Sequence, residues 1–108
     1  MNALSPIPSE TLPVIPAGYR RRGFVYAIRD DAAQAVKIGF TRNPERRLRQ
    51  LQTANATPLR TLCVFENVQA FEASLHQSFA SRRMSGEWFN DADKSLSEIF
   101  GLIASGEA

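Results

Sequence analysis

The sequence predicts a small α+β domain in which three short strands are flanked by three helices. Two observations carry that expectation. β-Branched and aromatic residues concentrate in the runs G-F-V-Y-A-I, A-V-K-I-G-F and L-R-T-L-C-V-F-E, and the segments following the second and third runs place apolar residues at helical spacing. A third observation, the length of 108 residues, allows one domain, large enough to bury a core without metals or cross-links.

Residues 1–18 hold four of the six prolines and little charge, and read as an extended arm outside the fold. The domain is expected over 19–108, opening on Tyr19-Arg20-Arg21-Arg22. Gly23–Ile28 and Ala35–Phe40 read as a β-hairpin. A turn centred between Asp31 and Ala32 sets Tyr26 opposite Lys37 and Ile28 opposite Ala35 on one face. Next, Asn43-Pro44-Glu45 has the order of a helix start: a capping side chain, a proline at the first helical position, and an acid near the positive end of the dipole. This helix should run to about Thr53. Pro44, Leu48 and Leu51 form its apolar stripe; Arg47 lies beside the stripe, whereas Arg46 and Arg49 point away from it. Leu59–Glu66 reads as the third strand and Val68–Phe79 as the second helix, with Glu72 at the edge of its apolar face and His76 one turn further on. Residues 81–86 read as a loop, and Glu87, Trp88 and Phe89 as a packing lock. A last helix begins at Asp91 or Asp93 and ends near Ile103.

Charge narrows the class of partner. The formal net charge is only +2, but residues 20–60 hold ten basic and three acidic groups, +7, while residues 61–108 hold three basic and seven acidic, −4. Eleven of the thirteen basic residues are arginine, whose planar fork suits phosphate. The pattern points to a polyanionic partner, most simply nucleic acid, with Arg20, Arg21, Arg22, Arg42, Arg46 and Arg49 as its contacts. A solvated basic surface is the plainer alternative. The lone Cys63 cannot form an internal disulfide, which suits a reducing compartment. No apolar run reaches the roughly 20 residues of a membrane span, and no secretory leader pattern opens the chain, so a cytoplasmic protein without a membrane partner is expected.

Four short motifs occur in order. They are Phe24-Val25-Tyr26 followed ten residues on by Lys37-Ile38-Gly39-Phe40-Thr41; Arg47 to Leu51; Glu72 to Phe79 (E-A-S-L-H-Q-S-F); and Gly86-Glu87-Trp88-Phe89. Together they resemble the GIY-YIG nuclease superfamily, its small phage-type and bacterial branch, over roughly residues 23–103. The resemblance implies an α/β sandwich around a three-stranded antiparallel sheet, acting as an endonuclease that uses a single Mg²⁺ or Mn²⁺. It implies that Glu72 holds the metal, that Arg47 and Tyr26 are catalytic, and that a late asparagine, here Asn90, belongs to the site. Lys37 stands where that family has a tyrosine, which leaves the general base open between Tyr26 and Lys37.

The residue chemistry is compatible with those roles. Phosphodiester hydrolysis needs a cation for developing charge, hard oxygen ligands for a divalent ion, and a base. Arg47, Glu72, and Tyr26 or Lys37 could meet the three needs, with His76 shuttling a proton or contacting phosphate. Each residue also has an ordinary reading: Tyr26 a strand aromatic, Arg47 and Glu72 an interhelical ion pair, His76 a solvent-facing side chain. The expected function is thus a divalent-metal-dependent DNA endonuclease, with RNA as another substrate, acting as a monomer or homodimer. The alternatives are a non-catalytic nucleic-acid-binding module of the same fold and an interaction module using the proline-rich arm.

Overall fold

The computed structural model describes residues 21–106, so the proline-rich arm and Arg20 lie outside the described residues. Strand β1 (Arg22–Asp30) and strand β2 (Ala35–Thr41) form the expected antiparallel hairpin. Its turn occupies all of residues 31–34, held by Asp30 Oδ1, which accepts from the backbone N–H groups of Ala32 and Ala33 at 3.0 and 3.2 Å. The register therefore differs from the expected one: Tyr26 faces Gly39 and Ile28 faces Lys37. Because the shift is two residues, Lys37 keeps the face of Tyr26 but becomes its diagonal neighbour.

Helix α1 (Pro44–Ala54) starts as its sequence specifies, with Asn43 Oδ1 accepting from the Arg46 N–H at 3.1 Å and Pro44 in the first turn. Strand β3 (Leu59–Val68) pairs antiparallel with β1 and leads directly into helix α2 (Gln69–Ser78). A single 3₁₀ turn, Ala80–Arg82, follows. Strands β4 (Arg83–Ser85) and β5 (Trp88–Asn90) come next, and helix α3 (Ser95–Ser105) closes the chain.

The sheet has five antiparallel strands in the order β3-β1-β2-β5-β4, which corrects the three-stranded expectation. The two added strands lie where the sequence reads as a loop and a packing lock. Each is three residues long, too short to display an alternating pattern, and Gly86, at φ +55°, makes the reversal between them. Only pairing with the free edge of β2 makes them strands.

Alternate residues divide the sheet into two faces. Ala27, Val36, Ile38, Cys63 and Phe89 turn to one side and pack with Leu96 and Phe100 of α3, joined by Leu75 and Phe79 around α2. Tyr26, Gly39, Ile28, Lys37 and Trp88 occupy the other face through their pairings. None of the residues of α1 is buried. A buried polar lock joins the hairpin to α3: Arg29 pairs with Asp91, whose Oδ1 also accepts from the Leu96 N–H at 2.8 Å at the start of the helix. Among the described residues, no helix is long and apolar enough to cross a membrane.

Candidate metal and phosphate site

The site forms where β5 begins, at Trp88. β5 pairs with β2 only along Ala35–Lys37, so β2 has no strand partner on this edge from Ile38 onward. Ile38 uses this opening in both directions. Its N–H donates to the Glu87 carbonyl at 3.1 Å, and its own carbonyl accepts from His76 Nε2 at 2.8 Å. The β4–β5 turn and helix α2 are thereby tied to the same point of the sheet edge.

Three ligand-type side chains converge there: one donor atom each from Glu72, His76 and Glu87 lies within 4.8 Å of the others. His76 Nε2 is 3.1 Å from Glu72 Oε2, and Arg83 Nη2 donates to His76 Nδ1 at 3.1 Å. Since a carbonyl and a guanidinium can each play one role only, these contacts assign the His76 proton to Nε2. Both ring nitrogens are engaged, and the ring packs edge-on to Phe89 with centroids 5.1 Å apart. With both nitrogens engaged, His76 offers no free lone pair, and Glu72 and Glu87 remain as the oxygen donors of the group.

Glu72 is 7% exposed. Burial and the adjacent Glu87 push its carboxyl above the usual range, against the lowering influence of His76. Two carboxyl groups forced together in a half-dry notch present the excess negative charge that a hard divalent cation neutralises, and oxygen donors suit Mg²⁺ or Mn²⁺. The residues present therefore fit such an ion. Lys37 Nζ lies 3.3 Å from Glu87 Oε1 and 5.4 Å from the centre of the Trp88 ring.

On the same face Tyr26 is fully buried, and its ring lies over the backbone of Gly39, where any Cβ would overlap it. Arg47 of α1 donates from Nε to the Tyr26 hydroxyl at 3.4 Å. Burial raises the phenol above its ordinary value; Arg47 acts in the opposite direction, while Glu87 and Glu72 add to the rise. The cation touching Tyr26 is thus Arg47, in place of the expected Lys37. Of the two arginines predicted to point away, Arg46 and Arg49 are both exposed, and Arg49 pairs loosely with Glu45 at 3.7 Å. A cavity of about 320 Å³ runs between Thr41, Arg42, Asn43, Arg46, Arg47 and Gln50.

The structure thus brings Tyr26, Lys37, Arg47, Glu72 and His76 into one neighbourhood. Asn90 stands apart, its side chain accepting from the Ala92 N–H at 3.0 Å. Arg21 and Arg22 are exposed at the start of β1, where Arg22 lies 3.8 Å from Glu66. Arg47 and Glu72 do not pair with each other among the described residues; their partners are Tyr26 and His76. Sequence reasoning passed over Glu87, because its two aromatic neighbours make the whole segment look like packing. Its signal was a carboxylate standing beside two apolar residues in a motif already singled out.

The geometry defines an α+β domain with a carboxylate pair and an arginine-bound tyrosine at an open sheet edge. The model of the T5orf172 domain matches residues 23–104, and the chain belongs to that family. No curated protein and no solved structure matches it. The match corrects the GIY-YIG resemblance. The motifs that carried it are short, are made of common residues, and lack the second tyrosine, so their order could not separate one family from another. The three-stranded sheet it implied is likewise replaced by five strands.

Proposed function

We propose that this protein is a divalent-metal-dependent nuclease that hydrolyses phosphodiester bonds in DNA. The observation that carries the reading is the convergence of Glu72 and Glu87 with Arg47, Tyr26 and Lys37 at the open edge of β2. Family membership supports a nucleic-acid-related, nuclease-like module. Glu72 and Glu87 are the residues that would hold Mg²⁺ or Mn²⁺, and such an ion supplies charge neutralisation at phosphate oxygens and acidifies water.

In the reaction, water's oxygen forms a new bond to phosphorus as one ester P–O bond breaks. A base takes the water's proton, and the leaving oxygen gains one. Arg47 stands to stabilise the extra charge on the phosphate oxygens, as a fixed cation in a partly dry site. Tyr26 and Lys37 are the groups able to exchange the protons, and His76 fixes the direction of Glu72. Nicking of supercoiled plasmid with Mg²⁺ or Mn²⁺, abolished by EDTA and by Glu72→Gln, is the expected result; equal nicking by Glu72→Gln would overturn the reading.

A second reading is favoured by the exposed arginines of α1, which line open clefts without needing the carboxylates. In it the domain holds nucleic acid without cutting. Salt-dependent binding that survives Glu72→Gln, with no cleavage by the wild type, distinguishes it.

A further inference from the structure

A second cavity, of about 230 Å³, adjoins the site on the far side of Lys37. It is lined by Trp88, Met84, Ser85, Ala33, Ala35, Asp30 and Asn55. Trp88 belongs to both places, since it pairs with Lys37 across β2–β5 and lies beneath its ammonium. Lys37 and Gly39, the partner of Tyr26, are two residues apart on one strand, about 7 Å. The cavity's walls at Trp88, level with Lys37, and at Ala35 are thus about 7 and about 13 Å along the strand from Gly39, one to two nucleotides' reach from the reacting groups.

The composition of its wall is specific. Met84 is 54% exposed, an apolar side chain with no core to serve, and it stands beside the only tryptophan of the chain. The polar groups of the wall have fixed roles. Asn55 Nδ2 donates to Asp30 Oδ2 at 3.1 Å and to the Thr57 carbonyl at 2.8 Å, both of which only accept, so the orientation of the carboxamide is settled and its Oδ1 is the acceptor end. Asp30 is held ionised, its carboxyl lowered by bonds from Asn55, Thr57, Ala32 and Ala33. An aromatic and a thioether with the Asn55 Oδ1 acceptor beside them suit a flat ring with an exocyclic amino group; Asp30, whose oxygens are filled by bonds from Ala32, Ala33, Asn55 and Thr57, would repel a phosphate.

We propose that this cavity takes a nucleobase flanking the phosphate held at Arg47, so that the substrate is a single strand or a strand with a base turned out of its helix. The inference rests on the nucleic-acid reading of the neighbouring site. A continuous duplex keeps its bases stacked inside and cannot fill the cavity; an unpaired strand can stack one base on Trp88 while its backbone follows the arginines of α1.

The test uses the full chain in EDTA, so that cleavage plays no part. Tryptophan emission, which reports Trp88 alone, is followed on titration with a short oligodeoxycytidylate, whose bases carry an exocyclic amino group, with an abasic oligomer of equal length, and with a blunt duplex; fluorescence anisotropy of labelled strands measures binding separately. The expected result is quenching by the oligodeoxycytidylate only, with affinity about tenfold above that of the abasic strand. Met84→Ala, an exposed change, should reduce that advantage and leave abasic binding unchanged. Binding of both single strands with equal affinity and no quenching overturns the base cavity while leaving the catalytic reading intact. Absence of binding to any of the three overturns both.

Discussion

Two charged centres flank the hairpin, one at its turn and one beside Ile38 midway along β2, and they behave in opposite ways. At the turn end, Arg29 and Asp91 are buried together with opposite charges paired: Arg29 also meets Asp31 at 2.6 Å, and Asp91 accepts from the N–H groups of Leu96 and Ser97 in the first turn of α3. At the notch, Glu72 and Glu87 bring like charges together, and Tyr26 and Glu72 are both pushed away from their charged forms. The first arrangement stabilises the fold and offers nothing to a ligand. The second costs the fold something and would be relieved by a cation, which is how a site of the proposed kind differs from a structural ion pair.

Breaking the two centres should separate those roles. The largest effect on stability is expected from Asp91→Ala, which strands Arg29 without its partner and removes the cap of α3; urea unfolding should show a loss of about 3–5 kcal/mol. Glu72→Gln should do the reverse, abolishing metal-dependent cleavage while leaving the thermal midpoint unchanged or higher, because a like-charge contact is removed. Arg47→Ala is expected to lower cleavage by about 10²–10³-fold with little change in folding, read from steady-state rates and circular dichroism.

Smaller effects sharpen the contrast. Gly39→Ala forces the Tyr26 ring aside and should cost about 1–3 kcal/mol together with a fall in cleavage, whereas changes on the core face should cost stability alone. Arg46→Ala should reduce the slope of log affinity against log salt by about 0.9 without altering the fold. The smallest concerns Cys63, whose thiol burial pushes up to about 11. At pH 8 an alkylating reagent should label it slowly until the protein unfolds. Between the unfolded value, about 8.5, and about 11 the unfolded chain loses a proton that the folded one keeps, so stability should decline as pH rises through that window.

Particular residues show how much of this was legible beforehand. Asn43 and Pro44 announce α1 because capping is a local interaction, carried by side chain and backbone within four residues. Arg47 was distinguishable from Arg46 and Arg49 because its position on the helix wheel places it beside the apolar stripe, and it is the one that touches Tyr26. The hairpin was visible but its register was not, since the turn length is decided by Asp30 bonding to two backbone N–H groups. The family was read wrongly from motifs whose residues are common and whose spacing is loose.

The sequence alone determined the local parts: where α1, α2 and the three long strands lie, which arginines face outward, and that residues 20–60 carry the basic charge. Those features depend on periodicity, capping and composition, which are properties of neighbours along the chain. Only the tertiary structure decided that β4 and β5 extend the sheet, that β5 begins at Trp88 opposite Lys37, and that Glu87 just before it joins Glu72 and His76. The reason is physical: three-residue strands exist only when an open edge accepts their hydrogen bonds, and a carboxylate becomes a ligand only when folding brings a second one within reach.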